Sequence, residues 1–502
     1  MKILTRLEKS KDFWFLLVNF FVFFLLRLPS LFEPYWYGDE GIYQTIGIAI
    51  QSGKLLYRDI WDNKPPLLYI LYGIFSSDQF IIRLVSLIFG FLSVVIFFYL
   101  AKRIFENNNK ATFISTSLFS LIFALPLIEG NIANAENFML LPILASALLI
   151  FKLKDSNIHL KKIIIHNSCL PAGKAYFLIL FSSGFLLSLA FLFKIVAIFD
   201  AAAFFLFIFF LNYSSFKEIK KLAIKIIPFI LGFIIPIFVV ALFFLMNGAF
   251  FDFLKASFVQ NVGYVGYGNQ FLFPQGLLVT KLLILSGFIF FLFKKRGEFS
   301  KSTLFILIWF SLSLFNAFFS QRPYSHYLLV LLPSLCLMLG LFYFEKKYQK
   351  FVIAIIAVSL ILIAKNFTVY GKTLNYYPNF ISFVFDKKST LSYQSFFDRN
   401  TPIDYKLSEY INGRTKKDDK IFIWGNNAQV YKMTNKIPIG RYTVAYHMTS
   451  SQKTLEETKE IFNKTRPKYV IITSWRNPIP FGLNGYIQKI NIDSASVYER
   501  AF

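Results

Sequence analysis

Two adjacent carboxylates, Asp39 and Glu40, open the stretch GDEGIYQTIGIAIQSGKLLYRDIWDNKPPLLYILYGIF (38–75), and Asp59, Asp62 and Lys64 follow about twenty residues on. A carboxylate beside an acceptor hydroxyl works as a general base, an effect worth roughly 10²–10⁴-fold in rate. Lysine offers a point charge to a phosphate and arginine a two-pronged fork. Together these groups suit transfer from a phosphate ester to an alcohol. Further candidates lie far along the chain. The segment IEGNIANAE (128–136) is acidic, lacks Lys and Arg, and ends in Glu136. SQRPYSHY (320–327) groups Arg322, Tyr324 and His326, and Lys194 and Asp200 interrupt an apolar run over 175–212. Each also has an ordinary reading. Asp39 and Glu40 suit a helix cap and first turn. Lys194 suits a charge reaching from a helical hairpin to the interface.

These residues are set among elements built for lipid. The 502-residue chain is 56% hydrophobic and contains 65 Phe. Apolar runs long enough to cross a bilayer recur, at about 13–29, 79–101, 111–127, 137–153, 175–193, 196–212, 223–247, 275–293, 302–319, 326–344 and 350–366. The expected fold is a polytopic α-helical membrane protein of about eleven spans, followed by a small α/β domain. The first run ends in Arg27-Leu-Pro-Ser rather than a small-residue cleavage site, so a removable signal peptide is not expected. Cys169 and Cys336 fall on different elements, which indicates neither a disulfide framework nor a CxxC metal site.

Charge placement sets an orientation. Twenty-two Lys and Arg fall in or beside one set of alternate loops, and six (Lys54, Arg58, Lys64, Lys194, Lys255 and Arg322) in the other. The positive-inside rule then places the N-terminus in the cytoplasm and the Asp39 loop outside. Segments 128–136 and 320–327 share that outer side, and an odd number of spans leaves the tail there too. The net charge of +25 reads as topology and attraction to lipid headgroups, not as a nucleic-acid surface. Ionisable groups at membrane depth are costly and tied to function.

Within the opening stretch, IYQTIGIAIQSG reads as a short interfacial helix stopped by Gly53, and KPPLLYILYGIF as a second helix with proline at its start. The loop would cap the outer membrane face. Tyr35, Trp36, Tyr37, Tyr57 and Trp61 could stack on a sugar, and they also fit an interfacial aromatic belt. Composition changes after about residue 366. DYKLSEYING reads as a helix, DKIFIWG (419–425) and PKYVIITS (467–474) as strands, and SQKTLEETKEIFNK (451–464) as a helix between them. The expected organisation is a transmembrane catalytic domain over 1–366, with its first external loop at 30–78, a linker over 367–394 and an extracytoplasmic α/β domain over 395–502. His447, in the tail, reads as an ordinary polar residue.

The motif YGDEGIYQ…GKLLYRDIWDNKPPLLYILY resembles the first external loop of GT-C glycosyltransferases related to protein O-mannosyltransferases and aminoarabinose transferases. LSLAFLFKIVAIFDAAAF (187–204) and QRPYSHYLLVLLPSL (321–335) are similar to motifs of bacterial members, and the likeness covers roughly 10–365. The resemblance implies a polyprenyl-phosphate-linked monosaccharide donor, used on the non-cytoplasmic face. It makes Asp39 the general base, with Glu40 orienting it or binding sugar hydroxyls. Lys64 would hold the donor phosphate, shared with Arg322 and His326. Glu136 matches the acidic residue of the second external loop. Sugar or acceptor contacts fall to Glu136, Asp62, Tyr57 and Lys194. Some relatives have Glu-Lys-Pro where this chain has Asn63-Lys64-Pro65. Asp62 is the available substitute.

The expected reaction is an inverting transfer to an acceptor hydroxyl on a glycan, lipid or protein. No cofactor and no clustered metal site are expected, although Asp39, Glu40 and Glu136 leave a divalent cation open. Rival readings are a transporter or lipid flippase, which would favour symmetric halves and helices broken at the midplane, and a non-catalytic envelope scaffold.

Overall fold

The computed structural model describes residues 10–155, 163–165, 168–170, 172–261, 276–320, 322, 324–369, 371–473 and 478–501. Its first part is a helical bundle. In chain order the helices are α1 (Lys11–Arg27), α2 (Gly38–Gln51), α3 (Leu67–Ile74), α4 (Gln79–Ile104), α5 (Asn109–Ala124), α6 (Ala135–Asp155), α7 (Ala172–Phe193), α8 (Ile198–Asn212), α9 (Ile219–Met246), α10 (Phe250–Leu254), α11 (Gly276–Lys294), α12 (Lys301–Ala317), α13 (Leu328–Phe344) and α14 (Gln349–Asn366). Among the described residues eight helical stretches are long and apolar enough to cross a membrane, so this is a multi-pass membrane protein. Helices α5, α11 and α12 occupy the other three stretches where spans are expected.

Local sequence explains several boundaries. Ser10, Asp78, Asn108 and Ser300 each accept a backbone N–H at the start of a helix, which satisfies a donor the helix itself leaves unpaired. Phenylalanine fills the bundle through ring pairs such as Phe97–Phe119 and Phe204–Phe305. Helices α7 and α9 cross where Gly184 faces the Phe229 carbonyl and Gly232 the Phe181 carbonyl, so close that a Cβ at either place would strike backbone. Small residues allow such close approach between helices in lipid. The outer face of α9 leaves Phe238, Val239 and Leu245 uncovered, as lipid contact requires. Between α6 and α7 in the sequence, β1 (Ile163–Ile165) pairs antiparallel with β2 (Ser168–Leu170).

The loop between the first two spans differs from a free interfacial cap. Helix α2 is almost wholly buried, Gln44 and Thr45 included. One side packs on α3, where Gly47 meets Gly73 and Tyr72, and another meets backbone at Gln429. The C-terminal domain covers the face that the sequence alone would assign to water. Of the five aromatics of this loop, Tyr57 and Trp61 are buried and so do not form an interfacial belt, whereas Tyr35, Trp36 and Tyr37 are half-buried.

The stretch expected as a linker carries α15 (Thr373–Val384) and the start of α16 (Thr390–Phe397). Both dock on the bundle: the Tyr376 hydroxyl donates to Glu33 at 2.5 Å and the Tyr393 hydroxyl to the Phe32 carbonyl at 3.3 Å. After α17 (Thr401–Asn412) comes a four-stranded sheet of order β3-β4-β6-β5, with β3 (Ile421–Trp424), β4 (Tyr469–Ile472), β5 (Tyr486–Ile492) and β6 (Ala495–Arg500). β3 and β4 run parallel and the other pairs antiparallel. Helix α18 (Gln429–Met433), α19 (Ala445–Met448) and α20 (Gln452–Thr465) lie between β3 and β4, matching the strand–helix–strand order legible in the sequence.

Candidate active site

A cavity of about 270 Å³ opens where the 30–78 loop meets the ends of α6, α7, α12 and α13. Asp39, Tyr43, Lys64, Asn134, Glu136, Lys194 and His326 line its polar part, and Ile195, Val196, Ile198, Phe199, Phe258, Phe319 and Val330 its apolar part. Residues separated by hundreds of positions thus face one space.

Asp39 stands in the first turn of α2, two residues past the N-cap Tyr37. It is not the cap. Its carboxylate accepts the Tyr43 hydroxyl at 2.9 Å, one helical turn on, and lies 3.4 Å from the Lys64 ammonium. The side chain keeps 36% of its surface open. Burial pushes this carboxyl up, but Lys64, His326, the Tyr43 hydroxyl and Lys194 outweigh it and hold it below its ordinary value. The base candidate is therefore ionised when the cavity is empty.

Lys64 follows a tight turn. Tyr57, at φ 69°, donates its hydroxyl to the Lys64 carbonyl at 2.7 Å, and the Tyr69 hydroxyl accepts the Lys64 N–H at 3.2 Å. The Lys64 ammonium lies 4.8 Å from the Tyr43 ring centre and 3.8 Å from Asp62. Its reach toward Asp39 is fixed from behind by buried hydroxyls. Asp62 and Tyr57 do not line the cavity; they brace the loop that does.

On the far wall, Glu136 heads α6 and pairs with the Lys194 ammonium. Lys194 sits where α7 ends, in an extended conformation between two helical stretches, 4.5 Å from the Tyr327 ring centre. His326 Nε2 lies 3.8 Å from Glu136, and its Nδ1 lies 3.0 Å from Glu129. Glu129 is a left-handed turn residue that also accepts the hydroxyls of Tyr37 and Ser325. Burial raises the Glu129 carboxyl, but His326, Ser325 and Tyr37 overcome that and leave it below its ordinary value. It is an ionised brace for the His326 ring.

Two expected residues stand elsewhere. Glu40 points away from the cavity, and both its oxygens are taken. One accepts the Arg83 guanidinium at 2.5 Å, and the other accepts Arg83 at 3.1 Å and the Ala133 N–H at 2.9 Å. Neighbours on a helix diverge by about 100°, and here Asp39 lines the cavity while Glu40 turns to Arg83. Arg322 is exposed, two residues beyond the lining residue Ser320 and outside the lining itself. Sequence reasoning missed Tyr43, Glu129 and Asn134. Of these, Tyr43 was findable, because its i+4 spacing puts it over Asp39. Among the described residues no group of three or more His, Cys, Asp or Glu side chains could hold a metal ion.

No family model matches the chain, and no curated protein matches it in sequence. Its fold does match solved structures. ArnT from Cupriavidus metallidurans bound to undecaprenyl phosphate aligns at TM-score 0.55 and 12% identity, over 98% of this chain and 98% of that one. The apo state of the same protein aligns at 0.56 and 11%, with the same coverage. The archaeal oligosaccharyltransferase AglB from Archaeoglobus fulgidus gives a looser likeness, with TM-score 0.46 and 13% identity over 92% of this chain and 70% of that one. The chain is therefore a polytopic membrane protein with the GT-C fold.

Proposed function

We propose that this protein transfers a monosaccharide from a polyprenyl-phosphate donor to an acceptor hydroxyl on the extracytoplasmic side of the membrane. One observation carries the reading. A single cavity combines an ionised, accessible carboxylate, Asp39, with the ammonium groups of Lys64 and Lys194 at its polar part and a wall of Ile, Val and Phe beside them. A lipid phosphate has those two halves, and ArnT, of the same fold, has been solved with undecaprenyl phosphate bound.

In this reading Lys64, Lys194 and His326 hold the donor phosphate, and Glu136, now paired with Lys194, turns to the sugar or acceptor. Asp39 takes the proton of the acceptor hydroxyl. That oxygen forms its bond to the anomeric carbon from the face opposite the phosphate, and the carbon–oxygen bond to phosphate breaks. The electron pair leaves on the polyprenyl phosphate, and the anomeric centre inverts. The cations stabilise the charge that develops there, a term available because they are already in place. Tyr57 and Asp62 support Lys64 without touching substrate. The positive-inside pattern puts the N-terminus in the cytoplasm and the cavity and tail outside.

The test uses purified full-length protein in lipid nanodiscs and glycolipid analysis of cells. Lys64→Ala should weaken undecaprenyl phosphate binding at least about tenfold, since a cation on phosphate is worth roughly 1.5–3 kcal/mol. Asp39→Asn should leave that binding intact and abolish the sugar modification seen in cells with the native protein. Modification that persists in Asp39→Asn cells would reject Asp39 as base, and a native protein that does not bind undecaprenyl phosphate would reject the donor class.

A further inference from the structure

The C-terminal domain touches both halves of the cavity's polar part. On the side of Asp39, the Thr45 hydroxyl of α2 donates to the Ala428 carbonyl at 2.9 Å, and Gly41 lies against the backbone of Gln429 with no room for a Cβ. On the side of Lys64, the Trp61 N–H donates to the Arg441 carbonyl at 2.8 Å, and the Arg441 guanidinium donates to the Tyr57 carbonyl. Trp61 packs edge-on against Tyr442 and His447, with ring centres 5.7 and 4.8 Å apart. His447 Nε2 then lies 3.5 Å from Asp62 Oδ1. The other oxygen of Asp62 accepts the Tyr69 hydroxyl at 2.6 Å and faces the Lys64 ammonium at 3.8 Å.

We propose that His447 is a positioning residue of the active site, supplied by the C-terminal domain, which fixes Asp62 and through it the Lys64 ammonium against Asp39. The proposal rests on the donor-phosphate role given to Lys64 above.

The chemistry of the contact is one-directional. His447 is buried, and its Nδ1 has no hydrogen-bond partner. A neutral imidazole carries one N–H, and the carboxylate of Asp62 is what its Nε2 faces. Burial pulls the imidazole down to about 4, with Asp62 and Asp39 opposing and Lys64 assisting, so the ring is neutral under ordinary conditions. In the tautomer with its proton on Nε2 the neutral ring presents that N–H to Asp62, 3.5 Å away, without cancelling the carboxylate's charge. A charged group there would compete with Lys64 for the same carboxylate. Asp62 needs such support because it is buried, and a buried carboxylate is costly unless its oxygens are satisfied.

The experiment compares the native protein, His447→Ala and His447→Gln in nanodiscs, by amide hydrogen exchange and by undecaprenyl phosphate binding. His447→Ala should speed exchange over 59–64 while β3 and β4 keep their protection, and should weaken undecaprenyl phosphate binding about tenfold, the scale of a small misplacement of a binding group. His447→Gln, which keeps a side-chain N–H, should restore most of both. Unchanged exchange over 59–64, or loosening of β3 and β4 to the same degree, would overturn the proposal and leave His447 a packing residue. Normal undecaprenyl phosphate affinity in His447→Ala would overturn it as well. If the native protein does not bind undecaprenyl phosphate, the donor reading fails, and the exchange arm still decides the positioning role.

Discussion

At the scale of single residues, Asp39 faces a conflict between being ionised and being basic. The cations around it keep it below its ordinary value, and a carboxyl held low is charged but a weaker base. In the proposed reaction a bound donor would relieve the conflict, because its phosphate would engage Lys64 and Lys194 and weaken their pull on Asp39. The sign follows: a depressed group keeps its charge as pH falls until its own low value is reached. The kcat/KM profile of the free enzyme should therefore stay flat on the acid side until below the ordinary carboxylate value of about 4, and the acid limb of kcat should lie higher. A kcat/KM limb centred at about 6 or above would place the base on another group. Asp39, Lys64 and Glu136 were legible because charge beside a membrane span stands out from its surroundings. Glu129 was not, since its role depends on a left-handed turn that brings it to a histidine 197 residues on. His447 contacts an aspartate 385 positions earlier, and no local pattern announces such a pair.

Elements explain why the two adjacent acids divide their work. Asp39 and Glu40 leave α2 in different directions, one into the cavity and one against α4. There Arg83 is wholly buried between Glu40 and Glu33, and the nitrogen that meets Glu33 also donates to the Ser30 carbonyl at 2.7 Å. Removing one partner of a buried ion pair costs about 3–5 kcal/mol, because the remaining charge loses its compensation. Glu33 also holds Asn131 and Tyr376, so this network ties the segment after α1 (28–33), α2, α4, the 128–134 loop and α15 together. Glu40→Gln should therefore lower the thermal unfolding midpoint of the purified protein, with undecaprenyl phosphate affinity unchanged in the fraction that remains folded. Asp39→Asn should leave the midpoint near the native value. A Glu40→Gln protein as stable as native but impaired in sugar transfer would return Glu40 to the site. The helices themselves were legible from apolar length, and the boundaries from caps such as Asp78. What sequence could not supply was the covering of α2, since a face that looks interfacial in isolation is buried once the C-terminal domain lies on it.

The whole molecule has two unlike ends. At one, Asp39, Lys64, Glu129, Glu136, Lys194 and His326 converge and the C-terminal domain is seated. At the other, cationic turns are tied by ion pairs, Lys102 with Asp12 across two helices and Lys295 with Glu298 within one turn, and Ser302 donates to the Ile104 carbonyl at 2.7 Å. The segregation has a physical consequence. In the proposed function a lipid-linked phosphate would reach the cavity from the leaflet at the first end, and the positive-inside rule assigns cationic turns to the cytoplasmic side. Orientation is thus a condition of the chemistry, and it is measurable with single cysteines. In a Cys169→Ser background, where Cys336 is buried in α13, Ser450→Cys and Glu218→Cys place thiols on exposed positions at the two ends. A membrane-impermeant maleimide should label Ser450→Cys in intact cells and Glu218→Cys only after permeabilisation. The reverse pattern would put the cavity in the cytoplasm, where the proposed donor would have to be presented from the opposite leaflet.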